Sequence, residues 1–136
     1  MSADFDVIAA DDAAFMSAMI SAGFVAEGGI GHLAGGYYHP DVSHYVVEQM
    51  SNPLFDGLAD HRRLLRLTIS RGSEIVVPAP EDLIADRLGQ HAVASATDPS
   101  RLLQARALFD MAEDIDRAYL LRRIVEEGGD PALIGL

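Results

Sequence analysis

The chain has 136 residues, a formal net charge of −11 at pH 7, no cysteine and no lysine. This length fits one domain, and a hydrophobic content of 49% is enough for one buried core. The missing cysteines and lysines exclude disulfides, thiolate metal sites, P-loop lysines and Schiff-base catalysis. The acidic balance argues against broad nucleic-acid binding, which depends on cation–phosphate contacts. The N-terminus has no signal-peptide pattern and no apolar run reaches the ~20 residues of a membrane span, so we expect a cytoplasmic protein without membrane partners.

The first predicted element is a strand that carries two carboxylates. Residues 4–9 read Asp-Phe-Asp-Val-Ile-Ala, and successive strand side chains alternate between the two faces. Asp4 and Asp6 therefore project side by side, close enough to share a divalent cation through oxygen ligands. An acidic pair at an exposed strand end is the alternative interpretation.

A helix, a glycine-rich loop and a second acidic strand follow. Asp11 or Asp12 can cap a helix that ends at Gly23, and residues 24–26 and 37–39 read as strands on either side of the loop. No helix follows these glycines, so a hairpin loop is favoured over a phosphate cradle. The strand that ends in Glu48 completes a set of three carboxylates if it lies beside the first strand. A strand-end glutamate that faces water is the alternative.

Two arginines precede the next pair of strands. Arg62 and Arg63 could contact phosphates, although arginines beside a strand are more often solvated or paired with acids. Residues 64–69 and 74–77 read as strands. The five histidines show no zinc-binding spacing.

The last third of the chain has helical periodicity. Pro80 suits a first helical turn, and the acids after it suit the helix dipole. Leu83, Ile84 and Leu88 are predicted to be buried in this helix. A further helix begins near Asp98, and its predicted buried residues are Leu103, Ala107, Leu108 and Met111. The last helix begins at Asp114 or Asp116 and ends before Gly128, and its predicted buried residues are Leu120, Leu121, Ile124 and Val125. The whole pattern predicts an α+β fold.

The order of these parts resembles the nucleotidyltransferase superfamily, particularly its small bacterial branch related to abortive-infection toxins and toxin–antitoxin systems. Residues 2–6, Ser-Ala-Asp-Phe-Asp, match the family pattern Ser/Thr-x-Asp-hydrophobic-Asp. Residues 80–88 match a P-E-D-L-I-x-x-R/K-L segment that begins its helical half. The resemblance implies a nucleotidyltransferase-like mixed β-sheet with a helical C-terminal half, in one domain over residues 1–136 that is sheet-rich over 1–78 and helical over 79–136.

The resemblance also implies a function. This is Mg²⁺- or Mn²⁺-dependent transfer of a nucleotidyl group from an NTP to a hydroxyl of an unknown acceptor. Asp4, Asp6 and Glu48 would be the catalytic and metal-binding residues, with Glu48 either a ligand or the base towards the acceptor hydroxyl. Arg62 and Arg63 would be weak substrate-binding residues.

The chain also departs from the family pattern. The family places a helix and a Gly-Gly or Gly-Ser turn before its acidic pair, whereas here Met1 lies almost on the strand. The alternative function is therefore a catalytically degenerate binding or interaction module with the same fold. An absent helix would leave Phe5, Val7 and Ala9 uncovered, so we also expect a homodimer that buries this region.

Overall fold

The computed structural model describes residues 3–27, 36–95 and 97–136, and the glycine-rich loop predicted after Glu27 lies mostly outside them. The described residues form an α+β fold with a mixed sheet. The strands of the fold are β1 (Ala3–Ile8), β2 (Val25–Ala26), β3 (Gly36–Tyr38), β4 (Tyr45–Met50), β5 (Leu65–Thr68) and β6 (Glu74–Val77). The first four form the mixed sheet, and β5 and β6 form a separate antiparallel hairpin. The helices of the fold are α1 (Asp12–Ser21), α2 (Pro80–Val93), α3 (Ser100–Met111) and α4 (Arg117–Glu126).

The chain divides into two compact units, residues 1–54 and 55–136. The sequence pattern predicted one domain whose character changes at residue 78. In the structure, the β5–β6 hairpin belongs to the same unit as the helices, because the unit boundary precedes it.

The first unit is a four-stranded sheet with one helix. The strand order is β1-β4-β3-β2; β1 runs parallel to β4, and the other neighbours are antiparallel. Asp11 caps α1 by accepting a hydrogen bond from the Ala14 amide at 2.9 Å. Helix α1 packs on one sheet face, where the rings of Phe15 and Tyr37 meet edge to face at 5.7 Å.

The second unit has a closed hydrophobic core. Residues from all three of its helices have no exposed surface: Ile84, Ala85, Leu88, Ala105, Leu120 and Ile124. Helices α2 and α4 approach closely at Gly89, where an added Cβ would lie 2.6 Å from the Glu127 carbonyl oxygen. The β5–β6 hairpin contributes little to this core, and both of its strands are exposed except at Val77.

The predicted buried stripes of α3 and α4 are partly wrong. Leu103 and Met111 are 60% and 77% exposed, Ala107 is exposed as well, and Ala105 takes the buried position in α3. In α4, Leu121 and Val125 are exposed at 39% and 69%. The cause in α4 is that Arg123 is buried beside Leu120 and Ile124, so a charged residue occupies the inner face and apolar ones turn outward.

Candidate functional site

The β1–β4 pairing brings two of the three predicted carboxylates into direct register. Asp6 pairs with Glu48, and Asp4 pairs with Val46. Paired residues of neighbouring strands share a face, and alternate residues along one strand share it too. Asp4, Asp6 and Glu48 therefore lie on one face of the sheet, as the sequence analysis expected if the two strands were neighbours.

These carboxylates are accessible from solvent. Strand β1 is at the edge of the sheet, Asp4 and Asp6 are exposed, and Glu48 is half-buried. In-register residues on neighbouring strands are about 4.8 Å apart, and residues two apart on one strand about 6.6 Å. The three side chains thus start within reach of one another on an open face.

A fourth carboxylate lies on the same face, and the sequence analysis assigned it to a loop. Gly36 pairs with Glu48, and a Cβ built on Gly36 would lie 3.1 Å from Glu27 Oε2 and 2.9 Å from Val46 Cγ1. The absence of a side chain at Gly36 leaves room for the Glu27 carboxylate. The Glu27 amide donates to the Gly36 carbonyl at 2.9 Å, which extends the β2–β3 pairing by one residue. Glu27 follows the last residue of β2, and no local sequence pattern indicated that its side chain would lie on this face.

The acids do not already form a metal centre. Within residues 3–27, 36–95 and 97–136, no group of three or more His, Cys, Asp or Glu side chains is arranged to hold a metal ion. The donor chemistry of Asp4, Asp6 and Glu48 suits Mg²⁺, which prefers carboxylate oxygens. Binding of a cation to all three requires their side chains to converge from their present rotamers.

The two predicted phosphate-binding arginines lie in the second unit and already have carboxylate partners. Arg62 donates to Asp60 through Nε at 3.0 Å and Nη2 at 2.9 Å. The Arg63 Nη2 atom is 2.6 Å from Asp116 Oδ2, and its guanidinium lies 4.1 Å from the centre of the Tyr119 ring. The side-chain hydrogen bond from Arg62 lowers the pKa of Asp60 to about 2.

Both arginines line a cavity of about 440 Å³. The acids Glu81, Glu113 and Asp114 line it as well. A phosphate that entered this cavity would compete with Asp60 and Asp116 for the guanidinium groups and would approach three more acids. The cavity therefore gives little support to a phosphate role for Arg62 and Arg63.

The most deeply buried charges of the second unit belong to Asp82 and Arg123, which the sequence analysis did not place in the core. The Arg123 Nε atom donates to Asp82 Oδ1 at 2.6 Å, and these side chains are 0% and 1% exposed. Arg123 also donates to Glu126 and Glu127. Burial lowers the pKa of Arg123, but the hydrogen bonds to Asp82, Glu127 and Glu126 outweigh it and the net shift is upward. The guanidinium is therefore permanently charged.

Tyr119 joins this ion pair to the segment before the hairpin. Its hydroxyl donates to Asp82 Oδ1 at 2.9 Å and accepts from the Asp60 amide at 3.1 Å. Burial, followed by its bond to Asp82, raises the pKa of Tyr119. Because each of these polar groups has a partner, the network suits a structural role in holding the second unit together.

Comparison with protein-family models, with curated proteins and with solved structures finds no match for this chain. Among the helices of the described residues, none combines the length and the apolar character that crossing a membrane requires.

Proposed function

We propose that the first unit binds a divalent cation through Asp4, Asp6 and Glu48 and uses it for nucleotidyl transfer from an NTP to an acceptor hydroxyl. The observation that carries this proposal is the register of β1 and β4, in which Asp6 lies opposite Glu48 and Asp4 lies on the same face. Three carboxylates at these spacings repel one another, and a divalent cation relieves that repulsion. The family resemblance of residues 2–6 and 80–88 supplies the reaction.

The bound Mg²⁺ or Mn²⁺ would activate the attacking hydroxyl and neutralise charge on the triphosphate. In the reaction, the acceptor oxygen bonds to the α-phosphorus as the bond from that phosphorus to the pyrophosphate oxygen breaks. Pyrophosphate leaves, and the hydroxyl proton passes to a base. Asp4 and Asp6 bind and orient the cation in this scheme. Glu48, which is half-buried beside Asp6, either completes the ligand set or accepts the proton.

A second candidate is a non-catalytic binding or interaction module on the same scaffold. Two observations favour it. The described residues contain no group of three side chains already arranged for a metal, and Arg62 and Arg63 are held by Asp60 and Asp116. In that case the acidic face would be a surface without a cation requirement.

Cation binding discriminates the two candidates. A ligand that binds only the folded state stabilises it by about 2.7 kcal/mol at a hundredfold excess over its Kd. We therefore expect Mg²⁺ or Mn²⁺ to raise the melting temperature of the native chain. The double variant Asp6→Asn/Glu48→Gln should lose this rise while melting no lower than the native chain in EDTA, because it removes facing like charges.

The matched control is Asp41→Asn, an exposed acid of the same unit that is not on β1 or β4. It should retain the full metal-dependent rise. An equal rise in the double variant, or none in the native chain, would refute the cation site and favour the binding module. If the rise is specific, metal-dependent pyrophosphate release from NTPs, offered with a bacterial extract as the acceptor source, tests the transfer itself.

A further inference from the structure

A second concave site lies on the opposite face of the first unit's sheet. It is a cavity of about 350 Å³ lined by Phe5, Phe24, His39, Val42, Tyr45 and Val47. Phe5 pairs with Val47 and alternates with Asp4 and Asp6 along β1, so this cavity faces away from the carboxylates of the proposed cation site. A ligand here cannot contact those carboxylates, and the two sites are independent.

Aromatic rings form most of the cavity wall. The centres of the Phe5 and Tyr45 rings are 5.6 Å apart, and Phe24 meets His39 edge to face at 5.3 Å. The Asp41 amide donates to His39 Nδ1 at 3.2 Å, which fixes the orientation of this ring in the wall. Phe5 and Tyr45 are 55% and 39% exposed, which leaves ring surface open to an occupant.

The charge around the cavity has one sign. Residues 1–54 contain no lysine or arginine, and all ten arginines of the chain follow residue 54. The same segment contains seven acidic residues: Asp4, Asp6, Asp11, Asp12, Glu27, Asp41 and Glu48. Asp41 lies beside the cavity, between its lining residues His39 and Val42, and its side chain is 88% exposed. The segment therefore has no lysine or arginine side chain that could compete for the aromatic faces.

We infer that this cavity binds a small organic cation, of the quaternary ammonium or alkylated amine class. The faces of aromatic rings attract cations, and methyl or methylene groups around the nitrogen fit an apolar wall. Asp41 and the acidic field of the segment attract the charge to the cavity mouth. A neutral apolar molecule of the same shape gains the wall contacts and loses both electrostatic terms.

Choline and its neutral isostere 3,3-dimethylbutan-1-ol test this inference on the full chain. The two molecules have nearly the same shape, and a carbon replaces the charged nitrogen in the second. We expect choline to shift amide resonances of residues 5, 24, 39 and 45 saturably in nuclear magnetic resonance titrations. Binding of the isostere should be at least about threefold weaker, which corresponds to one modest cation–π contact. Equal binding of the two would overturn the inference.

A pair of tyrosine variants locates the binding. Tyr45→Leu removes a cavity ring and should weaken choline binding about threefold to tenfold. Tyr38→Leu removes a ring from the opposite face, since Tyr38 pairs with Val46, and should leave choline binding unchanged. Unchanged binding in Tyr45→Leu would assign choline to general attraction by the acids and would refute the site.

Two further outcomes also overturn the inference. Shifts confined to residues 4, 6 and 48, abolished by Mg²⁺, would place choline on the other face. Light scattering at the titration concentration decides between this ligand and the homodimer expected from the sequence: a monomer supports the inference, and a dimer that protects Phe5 from solvent would instead assign this surface to a second copy of the chain.

Discussion

The two units of this protein bury their side chains to very different extents. In residues 55–136, six apolar side chains and the Arg123 guanidinium have no exposed surface. In the described part of residues 1–54, the buried residues are Gly36 and Tyr37, and Phe5, Ile8 and Ile20 are about half exposed. Since buried apolar area dominates folding free energy, the second unit is the more stable one. The first unit offers open faces instead.

The distribution of charge follows the same division. Every arginine lies in the second unit, and six of the ten form ion pairs: Arg62, Arg63, Arg66, Arg87, Arg122 and Arg123. Arg123 makes three such contacts, and Arg106 donates to the Leu133 carbonyl. In the first unit the acids have no arginine or lysine of their own segment to pair with. The second unit therefore uses charge for structure, and the first has carboxylates available for a ligand.

The largest expected effect on stability comes from removing the buried guanidinium of Arg123. Arg123→Met leaves the Asp82 carboxylate in the core without its cationic partner, so the second unit should lose about 3–5 kcal/mol of unfolding free energy. Urea unfolding followed by circular dichroism measures this loss.

Two further variants isolate the cause. The neighbouring Arg122→Met removes a guanidinium that is 56% exposed and should cost under about 1 kcal/mol. Asp82→Leu/Arg123→Met should recover much of the loss, because no unpaired charge then remains buried. A double variant as unstable as Arg123→Met alone would mean that packing, not charge pairing, sets the cost.

The next effect compares apolar truncation in the two units. Leu120→Ala removes a side chain with no exposed surface from α4 and should cost about 2–5 kcal/mol. Ile20→Ala shortens a side chain that is 54% exposed on α1 and should change stability by at most about 0.5 kcal/mol. Comparable costs at the two positions, measured by urea unfolding, would remove the contrast between the units.

A smaller effect tests the close approach of α2 and α4. Alanine usually stabilises a helix relative to glycine by about 1 kcal/mol. At Gly89 the added Cβ would lie 2.6 Å from the Glu127 carbonyl oxygen, so Gly89→Ala should instead destabilise by about 1–3 kcal/mol. Ala92→Gly, at an exposed position of the same helix, reports propensity alone. Thermal melting decides the sign, and a gain in Gly89→Ala contradicts the close contact.

The smallest effect concerns pH. The pKa of Asp60 lies at about 2 in the folded chain, below its usual 3.8, chiefly because Arg62 donates to it. A carboxyl with a lowered folded pKa stabilises the fold above about pH 4, and this contribution disappears as the pH falls to about 2. Arg62→Gln should therefore raise the pKa of Asp60 towards 3.8 and reduce the acid sensitivity of this segment. A carboxyl titration by nuclear magnetic resonance checks the shift, and an unchanged pKa contradicts it.

Local sequence patterns predicted the helices and strands well, because each of these elements depends on residues that are close together in the sequence. The alternation in residues 4–8, the cap at Asp11 and Pro80 each determine structure within a few residues. The pairing of Asp6 with Glu48 depended on which strands become neighbours, and Glu27 lies on the same face because its backbone pairs with that of Gly36. Likewise, the burial of Arg123 follows from its contact with Asp82, 41 residues away. Contacts over such separations leave no periodic signal in a single sequence.

In this protein the second unit provides stability and the first provides accessible sites. Native-state hydrogen exchange of the full chain tests this division most directly, because it reports an opening free energy for each amide. We predict that the amides of α2 and α4 have the highest opening free energies of the chain, and that the amides of β1 and β4 have lower ones. Added Mg²⁺ should slow exchange in β1 and β4 and leave α2 and α4 unchanged. Equal opening free energies in the two units, with no response to Mg²⁺, would contradict this division of stability and accessible sites between them.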